Sequence, residues 1–199
     1  MASSQVQGSD LGRRTLLLGF AGATIGLPDL GCGRAAAEPV ADPAPDLALL
    51  RRTFVLAEDA RRRGGAPYGA LVAAADGRVL AEHGNTSSIE NGDPTQHAEL
   101  VAAAAAWREV GYEGMNGATL YASTEPCTMC AGAAYWTGIG AVVYGMSNLR
   151  LFGFTGDKPG RTSFAMPCRD VLQHGSRPVG VAGPLLEDEA AQAHVGYWH

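Results

Sequence analysis

The chain has 199 residues, 46% of them hydrophobic and 18% charged, a composition with room for one sizeable core and too short for two comfortable ones. Its 15 basic and 20 acidic residues leave a formal net charge of -5, which excludes a nucleic acid held by general electrostatic attraction, a local basic patch aside. The 27 glycines are scattered and build no repeat.

The first segment reads as an address. Arg13 and Arg14 stand directly before an apolar stretch that runs to about Leu27, and Ala35-Ala36-Ala37 offers a small-residue cleavage point. The stretch is too short to span a bilayer comfortably. Paired arginines in this place resemble a twin-arginine export signal, a route for cargo that is already folded; an ordinary secretory signal or a disordered tail is the alternative. Residues 1–37 are therefore expected to be an export signal, and 38–199 a domain delivered to the periplasm or outside the cell. Losing the signal makes the remainder more acidic still, since Arg13, Arg14 and Arg34 leave with only Asp10 and Asp29. It also removes Cys32, and the remaining Cys127, Cys130 and Cys168 are an odd set, poor as a disulfide framework. A Cys-x-x-Cys pair in an oxidising compartment survives best when something already holds it, which folding and metal loading before export would achieve.

Asp42-Pro43-Ala44-Pro45-Asp46 is a linker ending in a helix N-cap, and Leu47, Leu50, Phe54 and Ala57 predict an amphipathic helix to about Arg63, stopped by Gly64-Gly65. Residues 69–74 and 79–83 flank Asp76-Gly77 and predict two strands joined by a tight turn. A polar loop leads to a helix over 96–110, whose alanine run suits close approach to a sheet. A buried strand over 118–122, a short helix over 127–137 and a strand over 141–144 follow. The glycine-rich segment 147–161 is ambiguous. A last strand over 179–182 and a last helix from Glu187 to about Val195 complete the order. Helices on both faces of a mostly parallel sheet, entered through an antiparallel hairpin, are the architecture this order allows.

Two clusters carry chemistry. Cys127 and Cys130 are three apart on the predicted helix, so their sulfurs face one way near a helix start, where the dipole favours thiolates. Pro126 suits the first helical position there, with Thr124 or Glu125 capping. His97 stands just inside another helix start, and helix starts that follow parallel strands gather at one sheet edge. One imidazole and two thiolates suit zinc, and three protein ligands leave a fourth position for water, as catalytic sites do. A carboxylate must then carry the water proton, and Glu99 is placed to do so without being a ligand. His83 is the rival ligand. Taken alone, a Cys-x-x-Cys pair is equally a disulfide, a redox pair or half a structural zinc site.

His97-x-Glu99 followed by Pro126-Cys127-x-x-Cys130 is the signature of zinc deaminases. With Asp93-Pro94-Thr95 and Glu125 beside it, the chain resembles the cytidine-deaminase-like superfamily, on the branch of guanine and cytosine base deaminases and tRNA adenosine deaminases. The resemblance implies a three-layer α/β/α fold with a mixed five-stranded sheet. It implies one zinc per chain held by His97, Cys127 and Cys130, with Glu99 as the catalytic proton carrier. It places Asn85, the backbone of Ala98 and Trp136 of the Tyr135-Trp136 pair against substrate. It further implies a homodimer, and a tail (Gly196-Tyr197-Trp198-His199) able to complete a neighbour's pocket. From the residues themselves Asn85 is equally a turn residue, and Trp136 equally core.

Three functions follow in order. The first is deamination of a free nucleobase or nucleoside, guanine- or cytosine-like. The second is deamination of tRNA adenosine, which export, acidity and the single Lys158 disfavour. The third is a non-enzymatic zinc or redox protein, against which Glu99 argues.

Overall fold

The computed structural model of the chain describes residues 43–89, 92–156, 164 and 166–198; the export signal expected over 1–37, Lys158 and His199 lie outside them. The first helix, α1 (Leu47–Arg62), begins where expected. Asp46 Oδ1 accepts from the N–H groups of Ala48 (2.8 Å) and Leu49 (3.2 Å), satisfying donors that a helix start leaves open. Its buried stripe of Leu50, Thr53, Ala57 and Ala60 repeats at helical spacing. Gly64, at φ +84°, takes the left-handed turn that ends it.

Strands β1 (Gly69–Ala73) and β2 (Val79–Gly84) form the antiparallel hairpin, with Asp76 Oδ1 accepting from the Arg78 N–H inside the turn. Then come α2 (Ala98–Gly114), β3 (Thr119–Thr124), α3 (Thr128–Trp136), β4 (Ala141–Met146), α4 (Asn148–Thr155), α5 (Cys168–Gln173), β5 (Gly180–Ala182) and α6 (Glu187–Ala190), which passes into a 3-10 turn over Ala191–His194. The sheet order is β2-β1-β3-β4-β5; β1 is antiparallel to both neighbours, and β3, β4 and β5 are parallel. This is the mixed five-stranded sheet that the resemblance implied.

Because strand side chains alternate, each strand feeds two layers. Val72, Leu120, Val142 and Val181 face α2, α3 and α5, with Ala102, Ala103 and Ala106 fully buried against them. Leu71, Tyr121, Val143 and Ala182 face the opposite layer, where Leu50 of α1 closes the core. Small side chains set the spacing of the first layer, since alanines let α2 lie close to the sheet. The second is as tight at one point: a Cβ on Gly69 would stand 2.4 Å from the Thr53 carbonyl oxygen and 2.6 Å from the Ala57 nitrogen.

Several boundaries differ from expectation. The ambiguous segment folds as α4, with Ser147 Oγ accepting from the Arg150 N–H as its cap. Helix α5 had no expected counterpart, because six residues show too little periodicity. The helix expected over 96–110 starts later and runs to Gly114 across a break at Gly111, whose φ of +67° is not helical. Expected as one helix, residues 187–195 are helical only to Ala190 and tighten afterwards. Among the described residues no helix is long and apolar enough to cross a membrane.

Candidate active site

The loops after β2 and β3 bring the two clusters together. His97 is the N-cap of α2 and Cys127 the N-cap of α3, both with extended backbone, so neither is yet inside its helix. Cys127, and not Thr124 or Glu125, therefore occupies the cap of α3, with Pro126 one residue outside the cap instead of at the first helical position. Cys130 follows in the first turn. The two Sγ atoms are 3.6 Å apart, and His97 Nδ1 lies 3.7 Å from Cys127 Sγ and 3.6 Å from Cys130 Sγ. All three described cysteines are free thiols.

That triangle fits zinc. Tetrahedral ligands at about 2.3 Å (sulfur) and about 2.0–2.1 Å (nitrogen) would stand roughly 3.8 Å apart between sulfurs and roughly 3.5–3.6 Å between sulfur and nitrogen. The chemistry of the donors agrees. Cys127 is pulled down to about 4 by its hydrogen bond with Cys130 and by His97, against the cost of burial. Cys130 is pushed the other way, first by that bond and then by burial and the Glu99 carboxylate. Two thiols this close do not both ionise alone, and a cation between them is what allows it. Among the described residues no other group of this kind is placed to hold a metal ion. His83 is exposed on the edge strand β2 and takes no part.

Glu99, in the first turn of α2, is buried, and its Oε2 accepts from the Cys130 thiol at 3.7 Å. Burial, and then the charge of Cys127, push its carboxyl up to about 7. His97, Glu99 and Cys127 line a cavity of about 670 Å³, whose remaining wall is largely apolar, with Tyr68, Leu151, Phe152 and Trp198. This is within the size range of small-molecule sites.

Asn85 also lines the cavity and is buried. Its Oδ1 accepts from both the N–H and the hydroxyl of Ser87, each at 2.9 Å, so the turn role and the cavity position coincide. That pairing aims the amide NH2 the other way. Ala98, also buried, is the first helical residue of α2, whose leading N–H groups have no intrahelical partner.

Trp136 is not brought to the site. The buried face of α3 carries Cys130, Ala131 and Ala134, and Trp136 falls on the opposite side of the helix, 79% exposed. Its ring packs edge-on against Tyr135 instead. Phe154 packs against His194 and the core, whereas Phe152 reaches the cavity.

Sequence reasoning missed Tyr68 and the role of Glu125. The Glu125 carboxylate is buried and accepts from the N–H of Asn148 and the N–H of Cys168, each at 3.0 Å. It thereby ties the first residues of α4 and α5 to the loop that carries Cys127. Only its place beside Pro126 signalled it.

Residues 44–146 match the family described as the cytidine and deoxycytidylate deaminase zinc-binding region. A probable cytosine deaminase of Schizosaccharomyces pombe is 37% identical over 158 residues, covering 77% of this chain and 92% of that protein. The guanine deaminase of Bacillus subtilis is 41% identical over 97 residues, 48% of this chain and 61% of that relative. A structure from studies of A-to-I editing by tRNA:A34 deaminases superposes with a TM-score of 0.55 at 29% identity, over 74% of this chain and 99% of that one. The family match runs through β4 and so contains both helix starts of the site, and likeness over this much sequence reflects common descent: the chain belongs to the cytidine and deoxycytidylate deaminase family.

Proposed function

We propose that the protein is a zinc-dependent hydrolytic deaminase of a free nucleobase or nucleoside, a cytosine- or guanine-like amino heterocycle. The observation that carries this reading is the buried Glu99 carboxylate beside a zinc-sized triangle of donors, in a small and mostly apolar cavity. His97, Cys127 and Cys130 would hold one zinc. Zinc in that position supplies a water of lowered pKa at neutral pH. Oxygen from water adds to the amino-bearing carbon, the C–N bond breaks, and ammonia leaves. Glu99 takes the water proton, delivers it to the ring nitrogen and then serves the departing amine. The Asn85 amide, with its oxygen already held by Ser87, has its NH2 left to donate to an acceptor on the heterocycle. The N–H of Ala98 suits the amide edge of the base.

The likeness to the cytosine and guanine deaminases supports a small substrate. A second reading, deamination of tRNA adenosine, draws on the likeness to the tRNA:A34 deaminase structure and is opposed by the net charge of -5. Export by the twin-arginine route and assembly as a homodimer belong to the same proposal.

Ammonia release from cytosine, guanine, adenine, their nucleosides and a tRNA anticodon stem-loop tests it. Turnover of a free base or nucleoside, by protein carrying about one zinc per chain, is the expected result. Turnover of the stem-loop alone would overturn it in favour of the second reading.

A further inference from the structure

The C-terminal segment folds onto its own chain and forms one wall of the cavity. Arg51 makes a two-pronged pair with Glu189 (2.8 and 3.0 Å), Arg61 donates to the Ala193 carbonyl (2.9 Å), and Arg150 reaches Asp188 (2.7 Å). Beyond these anchors the chain turns back so that Trp198 lines the cavity shared by His97 and Glu99.

Behind Trp198 lies His194, fully buried. Its Nδ1 accepts from the indole N–H of Trp198 at 3.1 Å, with the two ring planes within 18° of each other and the centroids 5.9 Å apart. An indole nitrogen only donates, so Nδ1 carries no proton and the neutral ring bears it on Nε2. Tyr68, also on the cavity wall, meets the imidazole edge-on at 5.3 Å, and Phe154 packs at 5.9 Å. Among the described residues the buried Nε2 has no hydrogen-bonding partner. A phenyl ring would fill this aromatic nest without leaving a donor unsatisfied, so packing does not explain an imidazole here. The bond to Trp198 does.

We infer that His194 is a positioning residue of the site, holding the Trp198 indole in one orientation so that it presents a fixed wall to a flat heterocycle. This rests on the cavity being the substrate pocket, as proposed above. A ring fixed beforehand lowers the ordering cost of binding. His194 does not line the cavity itself and meets it through Trp198 and Tyr68, so its influence falls on substrate binding and hardly on the proton transfers.

The test uses the zinc-loaded full chain with nitrogen-15 in its tryptophans. The Trp198 indole N–H is expected to resonate apart from those of the exposed Trp107 and Trp136 and to exchange slowly with water. In His194→Phe that resonance moves away from its wild-type position and exchanges faster, and zinc content is unchanged. With cytosine and guanine as the substrates tried, KM rises about five-fold, the size of one modest hydrogen bond, while kcat stays within about two-fold. Trp198→Phe, which keeps a ring and lacks the donor, gives the same rise, and the double variant is no worse than either. An unmoved Trp198 resonance in His194→Phe, or additive effects on KM, overturns the inference. Should His194→Phe not fold, an unchanged KM in Trp198→Phe overturns it equally. A wild-type protein that deaminates neither these bases, adenine nor any of their nucleosides overturns the substrate reading alone, because the resonance decides the His194–Trp198 bond without turnover.

Discussion

Glu99 Oε2 lies 3.7 Å from Cys130 Sγ although Glu99 follows the ligand candidate His97 by only two residues. On a regular helix two such residues would diverge. They converge because His97, at φ -71° and ψ 144°, is an N-cap and precedes the helical backbone. The pairing separates holding a metal from moving a proton. Glu99→Gln is therefore expected to keep its zinc and to lose ammonia release by about 10²–10⁴-fold, the usual worth of a general acid–base group. Zinc analysis beside an ammonia assay checks both halves, and an active Glu99→Gln protein would mean that another group carries the proton.

The three described thiols should differ sharply once metal is stripped. Cys127 is pulled to about 4 by its hydrogen bond with Cys130 and by His97, so at pH 6 it is a thiolate, and it lines the cavity. Cys130 and Cys168 are pushed upward, the latter chiefly by burial and then by Glu125, and stay protonated. Chelator-treated protein exposed to iodoacetamide at pH 6 is expected to be alkylated at Cys127 first, and zinc added beforehand to prevent it. Peptide mass mapping reads the order; equal labelling of Cys168 would contradict it.

What the residues revealed in advance, and what they withheld, divides by range. The triangle of His97, Cys127 and Cys130 was legible because both its halves sit at helix starts with local signals: Asp93-Pro94-Thr95 before His97, and Pro126 before Cys127. The central strands were legible because β1 and β4 are apolar runs long enough to show. Trp136 was misplaced because its role came from the likeness of the Tyr135-Trp136 pair, which says nothing of helix face, and two residues past Ala134 is the wrong side. Of the remaining cavity wall only Asn85 and the tail were signalled, both through the resemblance, and its aromatic lining was not legible as a set. Tyr68 follows α1, Phe152 lies on α4 and Trp198 on the tail, and only tertiary packing collects them. Glu125 shows the same limit: its partners Asn148 and Cys168 are 23 and 43 residues away.

That carboxylate makes a prediction of its own. Both oxygens of Glu125 receive backbone N–H groups, so removing it strands donors at the starts of α4 and α5. Glu125→Ala is expected to lose about 2–4 kcal/mol of stability, the cost of unsatisfying the buried Cys168 N–H and the half-buried Asn148 N–H at about 1–3 kcal/mol each with partial relaxation. The loosened starts of α4 and α5 carry the cavity residues Asn148 and Pro167, so substrate affinity should fall with stability while zinc is retained. Glu125→Gln keeps one acceptor and should lose less. Urea unfolding of the three proteins orders them, and a Glu125→Ala protein as stable as wild type would show that α4 and α5 hold themselves.

His194 gives a pH dependence that a paired comparison isolates. Burial, and then the Arg61 guanidinium of α1, push its pKa down to about 4 from 6.5. The native ring is thus neutral where the unfolded ring has already taken a proton. Above pH 6.5 neither state binds the proton, and the stability difference between wild type and His194→Phe is flat. As pH falls from 6.5 to about 4 the unfolded wild type gains a proton that the native protein refuses, so wild type loses stability relative to the variant. At 1.36 kcal/mol per pKa unit the loss approaches about 3 kcal/mol near pH 4 and levels off below. Subtracting the two proteins cancels the carboxylates and the zinc ligands, which titrate alike in both. Thermal or urea unfolding at several pH values measures the difference. A flat difference down to pH 4 would mean that His194 takes up its proton inside the folded protein, which the Trp198 indole N–H pointing at Nδ1 opposes.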